Sequence, residues 1–367
     1  MITHRGALPS QHLQQLIVDN CIKSDLPIKA EQIQPASLDL RLGNVAYRVR
    51  TSFLPGSKRT VLECLDKLAM HQIDLSAGAV LEKDCVYIVP LMESLVLPKS
   101  LSAAANPKSS TGRLDVFTRM IVDYGREFDQ VVSGYQGELY AEICPQTFSV
   151  LVRPGTRLSQ LRIRSGNPFL DDSEHVSLHQ TRDLVDLKLS EDHIKGGIPL
   201  TADVNGTQQN GLIGYRAKRH AGVIDVDQVG AYRVEDFWEP IYRQQDNGLI
   251  LDPGEFYILA SQEAVHVPVD HAAEMVAYDT LVGEFRVHYA GFFDPGFGAP
   301  EAGGKGSRAV LEVRSYDVPF LLEHGQYVGR LKYECLTELP QRVYGTDLNS
   351  NYQSQGLKLS KHFQLTA

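Results

Sequence analysis

Residues 81–98 read LEKDCVYIVPLMESLVLP, and residues 251–268 read LDPGEFYILASQEAVHVP. A shift of 170 positions aligns identical Leu, Tyr, Ile, Glu and Pro residues in the two stretches. The same shift places Glu142 on Glu312 further along the chain. The same 170-residue shift thus aligns segments on both sides of a stretch that differs between the two halves. This predicts two copies of one domain.

The length and composition of the chain fit two globular domains. At 367 residues two domains are the natural expectation, and 43% hydrophobic with 22% charged residues is ordinary for a globular protein. Polar stretches between 165 and 215 predict a linker with some local structure. We therefore predict a first domain at 1–194, with a linker from about 165, and a second domain at 195–367 that ends in a C-terminal lid.

Short apolar runs separated by turn residues predict a mainly β fold. The first copy contains VYIVPL, LYAEI, FSVLV and LSQLRI, and the second contains FYILA, AVLEV, PFLLE and VGRLKYE. Thirty glycines and eighteen prolines suit antiparallel strands better than long helices. A short helix is predicted near the N-terminus, with Ser10 as its cap and Leu13, Leu16 and Ile17 on one face.

Several features that the chain lacks argue against whole classes of protein. The five cysteines are scattered and form no CxxC pair, which argues against a disulfide framework and a zinc site. No apolar run reaches membrane-spanning length and the N-terminus has no signal-peptide core, so we expect a cytoplasmic protein with no membrane partner. A net charge of −9 argues against a general nucleic-acid surface. The HxE and PCxxC motifs of zinc-dependent base deaminases, the GxxxxGK[ST] phosphate loop and GxGxxG are also missing.

The stretch PKSSTGR at 107–113, called the serine loop below, has the residues of an anion site. Hydroxyls and backbone N–H groups can cradle phosphate oxygens while Lys108 and Arg113 offset their charge. A turn of this composition with flanking basic residues is also typical of a solvated loop.

Two further segments carry an aspartate at a turn or in a strand-like run. PASLDLRLG at 35–43 contains Asp39, which we interpret as part of a buried turn that positions another loop, and we match it to Asp225 in the second copy. AGFFDPGF at 290–297 has a DPG turn between aromatic residues, which predicts a hairpin. Such a hairpin can hold a flat ring with its backbone groups and a sugar hydroxyl with Asp294.

Glu142 and Glu312 each lie in an apolar strand, in LYAEI and AVLEV. Strand alternation can point such a carboxylate to solvent. If it points inward, burial raises its pKa and makes it a usable proton shuttle.

Taken together, these segments resemble the dCTP deaminase and dUTPase superfamily. The resemblance is carried by an ordered set of motifs, which are QPASLDLRLG at 34–43, PKSSTGR at 107–113, FDPGF at 293–297, YAEI and VLEV, RPGTRLSQL at 153–161 and NYQSQG at 351–356. The arginine after the serines and the glutamate in the following strand place the chain nearer to the deaminase branch, as a double-length form. The resemblance implies two tandem dUTPase-like distorted β-barrel or jelly-roll domains with a few short helices.

The same resemblance implies a zinc-free hydrolytic deamination of dCTP to dUTP and ammonia, which feeds thymidylate synthesis. Glu142 or Glu312 takes a proton from the water that attacks C4 of cytosine, Ser109 holds that water, and Arg113 orients the glutamate. The triphosphate carries Mg²⁺ as cofactor, and no protein metal site is implied. The implied substrate-binding residues are Lys108, Ser110, Ala290, Asp294, Tyr344, Gln355 and Lys358.

Each copy departs from the family pattern in a different place. The second copy reads AYDTLVG at 277–283 where the serine loop is expected, and the first copy reads MIVDYGREFDQVVSGYQG at 120–137 where the DPG hairpin is expected. Asn351 stands where the family usually has a lysine. We therefore predict a composite site, with the serine loop from copy one and the hairpin and tail from copy two. Of the two glutamates we favour Glu142, because it shares a copy with the serine loop.

Three hypotheses about function remain open at this point. The leading one is dCTP deamination by a homo-oligomer with sites between copies. The nearest alternative is dUTP hydrolysis, or both steps in one protein, with Asp123 or Asp129 activating water. The third is an inactive nucleotide-binding scaffold. We expect that removing residues 344–367 stops turnover while the fold persists.

Overall fold

The structure is a computed structural model, which describes residues 4–206, 210–243, 248–277, 285–288, 291–345 and 352–364. Strands dominate both halves of the chain, and the predicted mainly β fold is confirmed. No helix within these ranges is long and apolar enough to cross a membrane.

The strands of the first half are β1 (Gly6–Ala7), β2 (Ile22–Ser24), β3 (Leu38–Leu40), β4 (Val45–Val49), β5 (Ala69–Asp74), β6 (Ala79–Leu81), β7 (Val86–Val96), β8 (Leu101–Pro107), β9 (Val116–Val122), β10 (Gln130–Val131), β11 (Gln136–Pro145), β12 (Val150–Val152) and β13 (Ser159–Ser165). Those of the second half are β14 (Ile198–Thr201), β15 (Leu212–Ala217), β16 (Ile224–Asp225), β17 (Trp238–Tyr242), β18 (Gly248–Leu251), β19 (Phe256–Val265), β20 (His271–Ala277), β21 (Phe285–His288), β22 (Phe292–Phe293), β23 (Ser307–Ser315), β24 (Phe320–Glu323) and β25 (Tyr327–Cys335). The helices are α1 (Ser10–Val18), α2 (Val61–Leu68), α3 (Ser109–Gly112), α4 (Asp172–Arg182) and α5 (Val234–Phe237), with 3₁₀ turns at Ala30–Gln32, Glu191–His193 and Pro300–Ala302.

Local sequence explains where the longer helices begin. Helix α2 starts at a reciprocal cap in which Thr60 accepts from the backbone of Glu63 and Glu63 accepts from that of Thr60. The predicted N-terminal helix is present as α1, with Leu13 and Leu16 buried. Ser10 is its first helical residue and not its cap: Pro9 occupies the cap position and makes no side-chain bond there.

Antiparallel sheets with one apolar face enclose the core of each copy. In the first copy, a sheet ordered β5-β4-β7-β11-β9 and a sheet ordered β1-β13-β8-β10 carry most of the strands. In the second copy, the sheets ordered β17-β15-β19-β23-β21 and β14-β25-β20-β22 have the equivalent connections. Large apolar clusters fill the space between the sheets because alternate strand residues face inward.

The strand pairing repeats with the offset read from the sequence. Glu142 lies opposite Ile88 in the β11–β7 pair, and Glu312 lies opposite Ile258 in the β23–β19 pair. Both partners are displaced by 170 positions, so the two glutamates occupy equivalent places in the two copies.

The equivalence of Asp39 and Asp225, which we predicted, is wrong. Strand β3, which holds Asp39, pairs with β13, and its counterpart is β14, which pairs with β25. Asp225 instead lies in β16, which runs parallel to β12 of the first copy. The offset changes here because the segment from β14 to β15 is longer than the equivalent segment from β3 to β4.

Two buried glutamates confirm the corrected alignment. Glu93 accepts a hydrogen bond of 2.7 Å from the backbone N–H of Arg41, and Glu263 accepts one of 2.8 Å from that of Thr201. Glu93 thus holds the end of β3, and Glu263 holds the end of β14 in the same way. The offset between the two acceptors is 170, whereas that between the two donors is 160.

The two copies share an extensive junction. Strand β16 of the second half extends the small sheet of β6 and β12 in the first half. Helix α4 contacts the second half, since the Nε2 atom of His175 accepts from the backbone N–H of Tyr333 at 3.0 Å. The domain boundary after residue 194 stays a prediction.

Candidate active site

A cavity of about 330 Å³ lies between the two copies. The first copy contributes the serine loop and the strand segment around Asp39, and the second contributes the DPG hairpin, strand β23 and the tail. The lining residues from the first copy are Glu31, Gln34, Asp39, Pro107, Lys108, Ser109, Ser110, Gly112, Arg113, Arg157 and Gln160. Those from the second are Met275, Gly291, Phe292, Phe293, Asp294, Phe297, Val310, Glu312, Tyr344, Tyr352, Gln355 and Lys361.

The serine loop reaches the cavity because β8 ends at Pro107 and the chain turns into the single-turn helix α3. The carbonyl of Lys108 accepts from the backbone N–H groups of Thr111 at 2.8 Å and Gly112 at 3.0 Å, which closes the turn. The Lys108 ammonium pairs with the buried carboxylate of Asp39. Asp39 therefore positions the serine loop, which fits our interpretation of its segment as a structural one.

The DPG hairpin connects β22 to the segment that carries Phe297. The N–H of Phe297 donates to the carbonyl of Asp294 at 3.1 Å, and Gly296 between them has φ +94°. A Cβ at Gly296 would lie 2.9 Å from the carbonyl oxygen of Tyr344, so glycine is required by both conformation and space. Asp294 is buried and accepts from the guanidinium of Arg162 at 3.2 Å.

The first copy has the same hairpin without its acid. Strands β10 and β22 pair with equivalent positions of β8 and β20, which places Val131 at the position of Phe293 and Val132 at that of Asp294. Val132 is 69% exposed. The carboxylate is therefore specific to the second copy.

Glu312 projects from β23 toward the cavity and is buried. Burial raises the pKa of Glu312 to about 8, although the positive charge of Arg113 opposes the shift. A carboxyl group with such a pKa exchanges protons near neutral pH, which is the property that general acid–base catalysis needs.

Glu142 has a different environment from its counterpart. It is buried, and its Oε1 atom accepts from the Nε atom of Arg119 at 3.1 Å. The Arg119 guanidinium lies 3.5 Å from the centroid of the Phe128 ring and 4.6 Å from that of Phe117. Glu142 thus forms an ion pair within its own copy. Glu142 does not line the cavity.

The tail spans from the hairpin to the serine loop. The amide of Gln353 donates to the carbonyl of Gly296 at 3.2 Å and accepts from the N–H of Gly298 at 3.0 Å. Tyr352 lies with its ring centroid 4.0 Å from the guanidinium carbon of Arg113, and Gln355 accepts from Arg113 at 3.1 Å. Residues from the YQSQG motif thus contact both halves of the site.

Beyond this motif the tail is anchored deep in the junction. The hydroxyl of Ser360 donates to the carbonyl of Ser110 at 2.8 Å. Phe363 is buried, and its ring lies 5.5 Å from that of Phe237 and 5.8 Å from that of Trp238. The tail is therefore part of the packed structure as far as Phe363, which is more than the lid predicted from sequence.

One end of the cavity is rich in cations. Lys361 of the tail lines it together with Lys108 and Arg157. Burial, followed by the charges of Lys108 and Arg157, lowers the pKa of the Lys361 ammonium. Such a cluster is the arrangement that a polyphosphate would stabilise.

Family models match both halves of the chain. The model described as 2'-deoxycytidine 5'-triphosphate deaminase (DCD) N-terminal domain matches residues 4–167. The model described as the C-terminal domain of the same deaminase matches residues 171–363. The chain belongs to the dCTP deaminase family.

A solved structure agrees with this assignment over nearly the whole chain. The crystal structure of 2'-deoxycytidine 5'-triphosphate deaminase from Agrobacterium tumefaciens is 55% identical, with a TM-score of 0.86. The similarity covers 92% of this chain and 99% of that one.

Curated members of the family match over shorter segments. A "dCTP deaminase, dUMP-forming" from Streptomyces griseus is 30% identical over 134 residues, which cover 35% of this chain and 66% of that protein. A protein of the same name from Halobacterium salinarum is 32% identical over 133 residues, which cover 35% of this chain and 61% of that protein. These curated relatives are thus matched over about two thirds of their length or less.

The structure brings most of the predicted site residues of this deaminase-family chain together. The residues that line the cavity are Lys108, Ser109, Ser110, Arg113, Asp294, Glu312, Tyr344 and Gln355. Glu142 and Lys358 do not line it, and Ala290, Asn351 and most of the AYDTLVG segment lie outside the described residues. No group of three or more His, Cys, Asp or Glu residues suited to a metal is found in the described part of the chain.

Sequence reasoning missed several residues of the site. Arg157 belongs to the RPGTRLSQL motif, and Gln353 belongs to the YQSQG motif, so both stood in segments already identified. Lys361 carries no such signal, because it follows the motif in a polar tail and only the fold brings it beside Lys108 and Arg157.

Proposed function

We propose that the chain catalyses the hydrolytic deamination of dCTP to dUTP and ammonia in the cavity between its two copies. The observation that supports this most is the meeting of the serine loop of copy one with Glu312 and the DPG hairpin of copy two in one cavity. The serine loop, a buried glutamate, the hairpin and the tail are thus assembled into one site from the two copies.

Glu312 is the proton carrier in this proposal. Its carboxylate takes a proton from the water whose oxygen bonds to C4 of cytosine, and the same carboxyl passes a proton to N3. The carboxylate then takes the proton of the new C4 hydroxyl and delivers it to the amino nitrogen N4. As the C4 carbonyl forms, the C4–N4 bond breaks and ammonia leaves with the electron pair of that bond. The hydroxyl of Ser109 holds the water, and the guanidinium of Arg113 stabilises the ionised form of Glu312 and the charge that develops on the ring.

The other lining residues bind different parts of the nucleotide in this proposal. Lys108, Arg157 and Lys361 bind the triphosphate, together with the hydroxyl of Ser110. The Mg²⁺ ion is carried by the triphosphate, where it offsets the phosphate charges that the three cations do not. Asp294 accepts a hydrogen bond from the 3′-hydroxyl of the deoxyribose.

Both halves of this site come from one chain. The assembly of subunits is therefore not needed to complete it, which weakens the reason for which we predicted a homo-oligomer. Oligomerisation stays a prediction from the family resemblance, as does a cytoplasmic location. Analytical ultracentrifugation of the full chain tests the former.

Hydrolysis of dUTP is the second candidate, since the curated relatives are named dUMP-forming. The acids that we predicted for this step do not line the cavity: Asp123 accepts from the N–H of Val61 at 2.7 Å, and Asp129 accepts from that of Met120 at 2.7 Å. Both carboxylates have structural roles outside the cavity. We therefore favour deamination as the only step.

Product analysis tests the proposed function. The full chain is incubated with dCTP and Mg²⁺, with and without a zinc-specific chelator, and ammonia, dUTP, dUMP and pyrophosphate are measured. We expect ammonia and dUTP in equal amounts and no effect of the chelator. Formation of dUMP with pyrophosphate would show the second activity, and binding of dCTP without any product would favour the inactive scaffold.

The pKa of Glu312 predicts how activity depends on pH. If the ionised carboxylate takes the proton from water, kcat/KM for dCTP should rise about tenfold per pH unit at low pH and level off above a pH near the pKa of about 8. The measurement is an initial-rate profile from pH 6 to 9. A flat profile, or one that falls through this range, would contradict the assigned role.

Substitution of Lys361 tests whether the cation-rich end of the cavity binds the triphosphate. Replacing Lys361 with Met should raise KM for dCTP about ten- to a hundredfold and leave kcat little changed, because a charged hydrogen bond to phosphate is lost. Lys358→Met is the matched control, since Lys358 lies in the same tail but off the cavity lining. Equal effects of the two substitutions would refute the role assigned to Lys361.

A further inference from the structure

Arg162 is a completely buried cation in β13 of the first copy. It does not line the cavity, yet it uses all five of its N–H donors. Its Nε atom donates to the carbonyl of Ala36 at 3.3 Å, and its Nη1 atom donates at 3.0 Å to both the carbonyl of Ala273 and the carboxylate of Glu334. Its Nη2 atom donates to the carbonyl of Phe293 at 3.3 Å and to the carboxylate of Asp294 at 3.2 Å.

These contacts connect the two copies at the DPG hairpin. Arg162 and Ala36 belong to the first copy, whereas the other four acceptors belong to the second. The guanidinium carbon of Arg162 also lies 4.1 Å from the centroid of the Phe292 ring, one residue before the hairpin proper. Arg162 therefore holds the hairpin by its backbone, by the ring before it and by its acid.

Arg162 belongs to a larger group of buried charges of both signs. Glu334 is completely buried, and it also accepts from the Nε atom of Arg164 at 2.9 Å. Arg164 in turn pairs with Glu274 at 2.7 Å. Two arginines thus face three carboxylates, and one of these carboxylates, Asp294, is the group that opens onto the cavity.

We propose that Arg162 is a positioning residue, which acts across the copy junction to fix the Asp294 carboxylate in the orientation that receives the 3′-hydroxyl of the substrate. This inference rests on the proposed function, because it concerns the same site. With Oδ1 bonded to Arg162, rotation of the buried carboxylate is restricted, and the substrate meets a preformed acceptor.

A lysine cannot replace Arg162 in this role. The planar guanidinium reaches Glu334 on one side and Asp294 on the other through separate nitrogen atoms, whereas an ammonium is a single point of charge. Arg162→Lys keeps the buried positive charge beside Glu334 but loses the forked geometry. The substitution therefore separates the effect of the buried positive charge from the effect of orienting the Asp294 carboxylate.

The test compares dCTP with its 3′-deoxy analogue, 2′,3′-dideoxycytidine triphosphate, as substrates of the full chain. We expect wild-type protein to favour dCTP by about ten- to a hundredfold in kcat/KM, because the hydrogen bond from the 3′-hydroxyl to Asp294 is lost when the hydroxyl is missing. In Arg162→Lys this preference should fall to near one, chiefly through a higher KM for dCTP. Arg164→Lys is the matched control: it contacts the same Glu334 but not Asp294, and it should keep the preference.

Two further comparisons keep the proposal open to refutation. If Arg162→Lys fails to fold, the double variant Arg162→Met/Glu334→Gln removes both buried charges together and should fold while lacking the preference. A folded Arg162 variant that retains the full preference overturns the proposal. A wild-type chain that deaminates both nucleotides equally refutes the role of Asp294 and of Arg162, whereas one that deaminates neither refutes the proposed function.

Discussion

Glu312→Gln should reduce the turnover of dCTP by about 10²–10⁴-fold, whereas Glu142→Gln should stay close to wild type. Glutamine keeps the shape of the side chain and removes only its ability to carry a proton. Glu312 lines the cavity with Ser109 and Arg113, and burial raises its pKa to about 8. Glu142 is engaged by Arg119 outside that cavity.

Steady-state kinetics of the two purified variants provides the measurement. Retention of dCTP binding by Glu312→Gln, measured by calorimetry, is the control that separates lost chemistry from lost binding. Glu142 was our choice from the sequence, so the experiment also decides between the two interpretations. Loss of activity in Glu142→Gln with an active Glu312→Gln would return the assignment to the first copy.

Removal of the tail from residue 352 onward should both stop turnover and destabilise the fold. Turnover is lost because Tyr352 and Gln355 no longer hold Arg113. Stability is lost because Phe363 is buried among Phe237 and Trp238, and truncating a buried Phe to Ala alone costs about 3–5 kcal/mol. This expectation replaces our prediction from sequence that the fold persists without the tail.

Phe363→Ala and Phe363→Leu separate the two effects of the tail. The alanine variant should lower the free energy of unfolding by about 3–5 kcal/mol, and the leucine variant by less, because leucine fills more of the site. Denaturant unfolding of both variants and of the truncated chain is the measurement. A truncated chain that unfolds at the wild-type denaturant concentration would show that the tail is only a lid.

The sequence predicted the architecture well where the repeat has one constant offset. Strands β7, β11 and β13 of the first copy and their counterparts kept the 170-residue register, so pairing and core followed from it. Asp39 was matched to Asp225 by the likeness of PASLDLRLG to GVIDVDQVG, whereas the strand equivalent to β3 is β14, which lies 160 positions further along the chain. A fixed shift cannot register insertions in the loops between strands.

The segments that line the cavity were predicted from the sequence, whereas the choice between Glu142 and Glu312 stays a proposal. Motif content correctly separated the serine loop from the hairpin and tail, and the structure brings these segments together. The choice of Glu142 assumed that residues of one copy act together. Pairing of Glu142 with Arg119 and the approach of Arg113 to Glu312 are tertiary contacts, and a single sequence does not specify them.

The joining of both half-sites in one polypeptide has a consequence for how the proposed activity responds to dilution. In a site shared between separate subunits, activity falls when the concentration drops below that needed for association. Here the serine loop and the hairpin are covalently connected, so each meets the other at an effective concentration set by the chain and not by the solution. For the proposed activity we therefore expect the output per molecule to stay constant when the protein is diluted.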